Sequence, residues 1–271
     1  MSTLEALVLG LVQGLTEFLP ISSSGHLRIV PALLGWEDPG AGFTAVIQLG
    51  TMAAVLIYFR ADLWRITRAW TRELRVPYRQ RSHEANLGWF IVLGTIPISI
   101  VGFALKDQIE SGARSLYLIG SALILFSFVM LLAEHLGSRR RPLEDMDGRD
   151  GLYIGIAQAL ALIPGISRSG ATISAGLLRG FDRVAAARYS FLLSVPAVVL
   201  SGLFELRKVG EAGEPPVGAT IIATLVAFVS GYVAIAWLLR YLGNHSLGVF
   251  VAYRIPLGIL VLALAATGAI H

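Results

Sequence analysis

Three stretches of this chain hold the side chains that could do chemistry. Gln13 and Glu17 stand one helical turn apart, on the same helix face. Ser22, Ser23, Ser24, Gly25 and His26 follow directly after Pro20 and Ile21. Ser167, Arg168, Ser169 and Gly170, with Thr172 close behind, follow Pro164, Gly165 and Ile166. Glu17 lies at the end of an apolar stretch, where a carboxylate costs roughly 3 kcal/mol unless it is paired or wet. A carboxylate reaching out to water is the plain alternative, but Pro20 and three serines build a polar pocket just beyond it. Each serine-rich stretch opens a helix, whose free N–H groups and dipole favour an anion. Capping alone needs only one serine. Ser22, Ser24, Gly25, Ser167, Ser169, Gly170, Thr172 and Gln13 are therefore the candidate phosphate ligands. Arg168 needs a counter-anion at that depth, and its planar fork suits a phosphate. An ion pair with Glu17 is the structural alternative, and both can hold at different moments. His26, beside a carboxylate and an anion cradle, is the candidate for moving a proton. Ser23 is the first choice of nucleophile and a water activated by His26 the second; the sequence does not decide between them. Arg254, beside Tyr253, is a second buried cation, expected to pair with a carboxylate or a helix C-terminus in a structural role.

The two serine-rich stretches belong to a longer repeat. Residues 7–37 and 152–182 align without a gap at a shift of 145, and 10 of the 31 positions are identical, among them Gly10/Gly155, Gln13/Gln158, Ser22/Ser167, Ser24/Ser169 and Gly25/Gly170. Chance at this composition gives roughly three. Each copy places a Pro, Gly and Ser break inside an apolar stretch. Residues 3–19 and 24–35, and again 151–163 and 170–180, read as half-length helices joined at such a break, which fits a hairpin that enters the bilayer and returns. Paired broken helices of this kind build binding sites at mid-bilayer.

The remaining elements must hold those hairpins. Hydrophobic residues make up 55% of the 271 and charged residues 15%, against roughly 25% charged in soluble domains; the mean hydropathy is +0.69. Six segments, 42–59, 87–105, 115–135, 185–206, 218–241 and 247–269, approach the ~20 apolar residues that cross a bilayer. The expected fold is an all-α integral membrane protein, six transmembrane helices plus two re-entrant helical hairpins in one domain, 1–271. Its repeats run from about 1 to 136 and from 150 to 271. Three spans per repeat is an odd number, so the second repeat is expected upside down, an inverted topology.

Charge placement sets the orientation. The proposed inner loops carry 15 Arg: Arg60, Arg65, Arg68, Arg72, Arg75, Arg79, Arg81, Arg139, Arg140, Arg141, Arg149, Arg179, Arg183, Arg188 and Arg240. The outer loops carry only Lys106, Arg114, Arg207 and Lys208. That bias predicts both termini outside. It also accounts for the formal charge of +4 without a nucleic-acid partner. The Arg-rich 60–86 stretch reads as a cytoplasmic amphipathic surface helix, with recruitment of an acidic partner or lipid as the alternative. With no Lys or Arg before Arg28, no basic leader region is expected. The chain has no cysteine, which excludes disulfides and thiolate metal sites. Two helix N-termini, several hydroxyls, an Arg, a His and a Glu inside hydrocarbon suit a lipid phosphate or diphosphate.

These residues resemble the undecaprenyl-diphosphate phosphatase family, the bacterial enzymes tied to bacitracin resistance. The resemblance rests on Gln13 to Glu17, Pro20 to His26, and Pro164 to Gly170, and it covers essentially the whole chain. It implies hydrolysis of undecaprenyl diphosphate to undecaprenyl phosphate and inorganic phosphate. That reaction recycles the lipid carrier of peptidoglycan and cell-wall synthesis in the bacterial inner membrane, on a site facing the periplasm. It also implies a divalent cation, Mg or Ca. Where some members carry Glu, this chain has Gln13, so Glu17 is the only carboxylate of the motif to serve as a metal ligand. The diphosphate then supplies most of the coordination. The rival reading is a transporter or flippase of an anionic solute or lipid phosphate, since inverted repeats with broken helices are transporter architecture. The oligomeric state, a homodimer included, is left open.

Overall fold

The computed structural model describes residues 1–105, 115–205 and 216–270, and, within those, all side chains but those of 41 and 200–205. Lys106, Arg114, Arg207 and Lys208 lie outside the described residues. Eleven α-helices and no strand occur among the described residues: α1 (Thr3–Phe18), α2 (Ser23–Leu34), α3 (Gly40–Tyr58), α4 (Arg60–Arg72), α5 (His83–Ala104), α6 (Leu116–Leu136), α7 (Gly148–Ala159), α8 (Arg168–Leu178), α9 (Arg183–Glu205), α10 (Val217–Leu242) and α11 (Gly248–Ala266). The expected all-α membrane architecture is what the chain adopts. α5, α6, α10 and α11 are each long and apolar enough to cross a bilayer, and the bent pair α3–α4 adds a fifth.

Local chemistry sets the boundaries. α5 begins at His83 rather than 87 because Ser82 caps it, its Oγ accepting from Ala85 N at 3.3 Å. α1 and α7 open on matching capping boxes. Ser2 Oγ accepts from Glu5 N at 3.2 Å, and Asp147 Oδ1 accepts from Asp150 N at 2.9 Å; these positions coincide under the shift of 145. The capping box starts both half-helices by satisfying N–H groups that a first turn leaves free. α4 leaves α3 at 76°, buries Ile66 and exposes Trp64, as expected of a helix lying along a surface.

The two repeats interlock rather than sit side by side. α1 of the first packs on α10 of the second, and its counterpart α7 packs on α5 of the first, while α6 runs along α11. Glycine permits the close approach. A Cβ on Gly10 would lie 2.4 Å from Ala223 O, and one on its counterpart Gly155 would lie 2.4 Å from Gly94 Cα. Small residues at such crossings let backbones touch, which is how helices associate without a hydrophobic driving force. Behind the breaks, Phe18 meets Phe191 edge-on at 5.3 Å and anchors the end of α1, where Glu17 sits.

Candidate active site

Both breaks turn on a serine in a strained backbone conformation. Ser22 has φ 76° and Ser167 φ 79°, a region where a residue with a Cβ is uncommon. Each serine caps the helix it precedes, Ser22 Oγ accepting from Gly25 N and Ser167 Oγ from Gly170 N. The tips also hold each other. Gly165 N donates to Ser22 Oγ at 3.1 Å, and Ser169 Oγ donates to Leu19 O at 3.1 Å.

Glu17, only 7% exposed, is the hub of the site. Its Oε2 accepts from Ser23 Oγ at 2.6 Å and Gln13 Nε2 at 3.0 Å. Its Oε1 accepts from Arg168 Nη2 at 2.6 Å and Gln48 Nε2 at 3.1 Å. Four donors occupy a carboxylate that has about four acceptor positions. The structure thus gathers Gln13, Glu17, Ser23 and Arg168, from three helices and two breaks, around one buried ion pair. Gln48 of α3 is the member that sequence reasoning missed; its signal was a lone amide within the apolar 42–59 segment.

The other candidates are placed elsewhere. His26 Nδ1 lies 2.8 Å from Ser22 O and Nε2 2.7 Å from the Tyr253 hydroxyl. A carbonyl only accepts, so Nδ1 carries a proton, and Nε2 shares a hydrogen bond with the Tyr253 hydroxyl. Neither nitrogen bonds Glu17, Ser23 or Arg168 among the described residues. Thr172 is buried, its Oγ1 2.8 Å from Arg168 O and 2.5 Å from Ser190 Oγ. The hydroxyls of Ser22, Ser167, Ser169 and Thr172 are thus already bonded to protein, whereas Ser24 is exposed, its Oγ 3.3 Å from Ser22 Oγ. Arg254 pairs with no carboxylate among the described residues, contrary to one of its two expected partnerships. Its acceptors are Ser127 Oγ and the Ala122 carbonyl on α6 and three carbonyls of the breaks, Pro20, Gly165 and Ile166, where unwound backbone offers oxygens that no helix uses.

No group of three or more His, Cys, Asp or Glu side chains converges on a metal position among the described residues. One polar atom at the site does lack a partner: Gln13 Oε1, buried beside Glu17. A neutral amide oxygen next to one carboxylate suits a hard cation that takes most of its ligands from phosphates.

An all-helical, multi-pass membrane protein with a buried carboxylate, hydroxyl and guanidinium cluster between two broken helices is a class defined by this fold and site together. The chain belongs to the bacitracin resistance protein BacA family, whose model matches residues 6–260. It is 56% identical over 268 residues to a protein of a Nocardioides species named undecaprenyl-diphosphatase, covering 98% of both chains. It is 52% identical over 282 residues to undecaprenyl-diphosphatase 2 of Streptomyces avermitilis, with 100% of this chain and 97% of that one covered. A Myxococcus xanthus undecaprenyl-diphosphatase is 55% identical over 271 residues, with 99% and 91% covered.

Proposed function

We propose that this chain hydrolyses undecaprenyl diphosphate to undecaprenyl phosphate and inorganic phosphate, with Ser23 as nucleophile and Glu17 as its base. The observation that carries the chemistry is the 2.6 Å hydrogen bond from Ser23 Oγ to Glu17 Oε2. A hydroxyl is a weak nucleophile until a neighbouring base takes its proton, and hydrogen-bond reach is the first requirement. Ser23 Oγ attacks the terminal phosphorus as its proton passes to Glu17. The bond from that phosphorus to the bridging oxygen breaks, undecaprenyl phosphate leaves, and water then cleaves the phosphoserine. Proton transfer also frees Arg168. Once Glu17 is neutral the guanidinium loses its counterion, and its fork turns to the phosphoryl oxygens on which charge is spread. Both His26 nitrogens are engaged by Ser22 O and the Tyr253 hydroxyl, while Ser23 Oγ already meets a carboxylate, which favours Ser23 over a water activated by His26.

Gln13 Oε1 and Glu17 are the residues that would hold a divalent cation, Mg or Ca. When bound, it neutralises charge on the diphosphate. The reading also includes six spans, two oppositely inserted repeats, the bacterial inner membrane, and both termini at the outer face.

The test is phosphate release from undecaprenyl diphosphate by the purified protein in detergent. Detergent removes both compartments, so a carrier or flippase generates no product there. Rapid quench of a slowed variant traps phosphoserine at Ser23 if the serine attacks; turnover without it assigns the attack to water.

A further inference from the structure

Arg254 is wholly buried (0% exposed), and all of its donor nitrogens have partners. Nε donates to Ser127 Oγ at 3.1 Å. Nη1 donates to Pro20 O and Ile166 O, both at 3.2 Å. Nη2 donates to Gly165 O at 2.9 Å and Ala122 O at 3.4 Å. Pro20 lies in the first break, Gly165 and Ile166 in the second, and Ala122 and Ser127 on α6. Pro20 and Gly165 occupy equivalent positions in the two repeats, so one side chain binds corresponding carbonyls of both tips.

We infer that Arg254 is the positioning residue of this site: it clamps the two breaks together and so fixes Ser23, carried by one, against Arg168, carried by the other. A cation taken out of water without an anion is costly unless every donor is satisfied, and here the satisfying oxygens come from three separate segments. Those segments cannot drift apart without orphaning the guanidinium. Apart from the Arg168–Glu17 ion pair, the direct links between the breaks, Ser22 to Gly165 and Ser169 to Leu19, are neutral hydrogen bonds, and bonds to a charged donor are roughly twice as strong. Lysine cannot replace the fork, because it has three donors where arginine has five in a fixed plane. The inference rests on the hydrolytic reading of the Glu17 site.

The test compares wild type with Arg254→Lys and Arg254→Met in detergent. It measures kcat and KM for phosphate release from undecaprenyl diphosphate, the melting temperature, and disulfide formation between Leu19→Cys and Ser169→Cys introduced as a pair. The chain has no cysteine of its own, so that pair reports only on the tips. A misplacement of about 1 Å costs on the order of 10²-fold in rate. The clamp therefore predicts a kcat about 10²-fold lower in Arg254→Met and an intermediate one in Arg254→Lys. KM changes far less, and the cysteine pair links more slowly as kcat falls. Unchanged kcat in a folded Arg254→Lys or Arg254→Met variant overturns the clamp, and so does lost kcat with unchanged cross-linking. If Arg254→Met does not fold, Arg254→Lys decides alone. Absence of phosphate release by the wild type refutes the hydrolytic reading instead, and the cross-linking still tests whether Arg254 holds the tips.

Discussion

Ser23 and Arg168 stand at equivalent positions of the two repeats, and each donates a 2.6 Å hydrogen bond to a different oxygen of Glu17. Two matching turns thus deliver a hydroxyl and a guanidinium to the two sides of one carboxylate. The repeat is otherwise unequal at the site: the counterpart of Glu17 is Leu162, and that of His26 is Ala171. The turn architecture is shared between the repeats, and the side chains at these two positions that can exchange a proton, Glu17 and His26, belong to the first alone.

On the proposed mechanism, Arg168→Ala removes the guanidinium that turns to the transferring phosphoryl oxygens. Turnover is expected to fall by 10²–10³ or more, on the order seen when one charge-stabilising donor is lost. Arg168→Lys recovers little, since a point charge does not reproduce the planar fork. Phosphate release in detergent measures both, and near-normal turnover by Arg168→Ala removes Arg168 from the mechanism.

Glu17→Gln combines a catalytic and a structural loss. Four donors converge on Glu17, and an amide meets them with two donors of its own. Arg168, with its side chain 15% exposed, then has no counterion. Breaking a buried pair from one side costs roughly 3 kcal/mol, and loss of the base lowers turnover by roughly 10²–10⁴. Replacing Arg168 by Met in the same chain removes the stranded charge, so the double variant should melt above Glu17→Gln alone, with a coupling of about 1–3 kcal/mol. Thermal unfolding of the three variants in detergent gives that coupling. Strict additivity means the pair holds nothing together.

The cost of a polar group in hydrocarbon is what made this site visible in the sequence. Glu17, Arg168, Gln13 and Ser23 stood out because each interrupts an apolar stretch next to Pro or Gly, and the structure brings all four together. Gln48 did not stand out, since one neutral amide in a span looks tolerable. Nearness in sequence points His26 toward Glu17, but the left-handed turn at Ser22 aims its ring at the Ser22 carbonyl and at Tyr253, 227 residues away. The partners of Arg254 were illegible for a different reason. Four of the five are main-chain oxygens, and a carbonyl that a broken helix leaves free has no side-chain signature.

The glycine contact between α7 and α5 makes a prediction about stability alone. A Cβ at Gly155 meets Gly94 Cα at 2.4 Å, so the helices must separate, whereas a Cβ at Gly218 meets nothing within 4 Å. Gly155→Ala should cost about 1–3 kcal/mol, as overpacking of a close contact does. Gly218→Ala, near the start of α10, should be neutral or slightly stabilising, because alanine favours the helix over glycine by up to about 1 kcal/mol. Melting curves in detergent compare the two. Equal melting temperatures would mean that the α7–α5 contact yields to a methyl group without loss.

Gln13 bears on the cation. Its Oε1 is a buried acceptor without a partner, and its Nε2 donates to Glu17 Oε2. Gln13 Oε1 and Glu17 would hold a divalent cation whose other ligands the diphosphate would supply. Gln13→Ala should then raise the Mg or Ca concentration needed for half-maximal phosphate release by about tenfold, the effect of one lost metal-orienting group. Gln13→Glu should lower it, since a second carboxylate adds charge to the site. A chelator should abolish phosphate release by the wild type, and added Mg or Ca should restore it. If Gln13→Ala and wild type respond to cation identically, the orphan oxygen has no part in holding the metal.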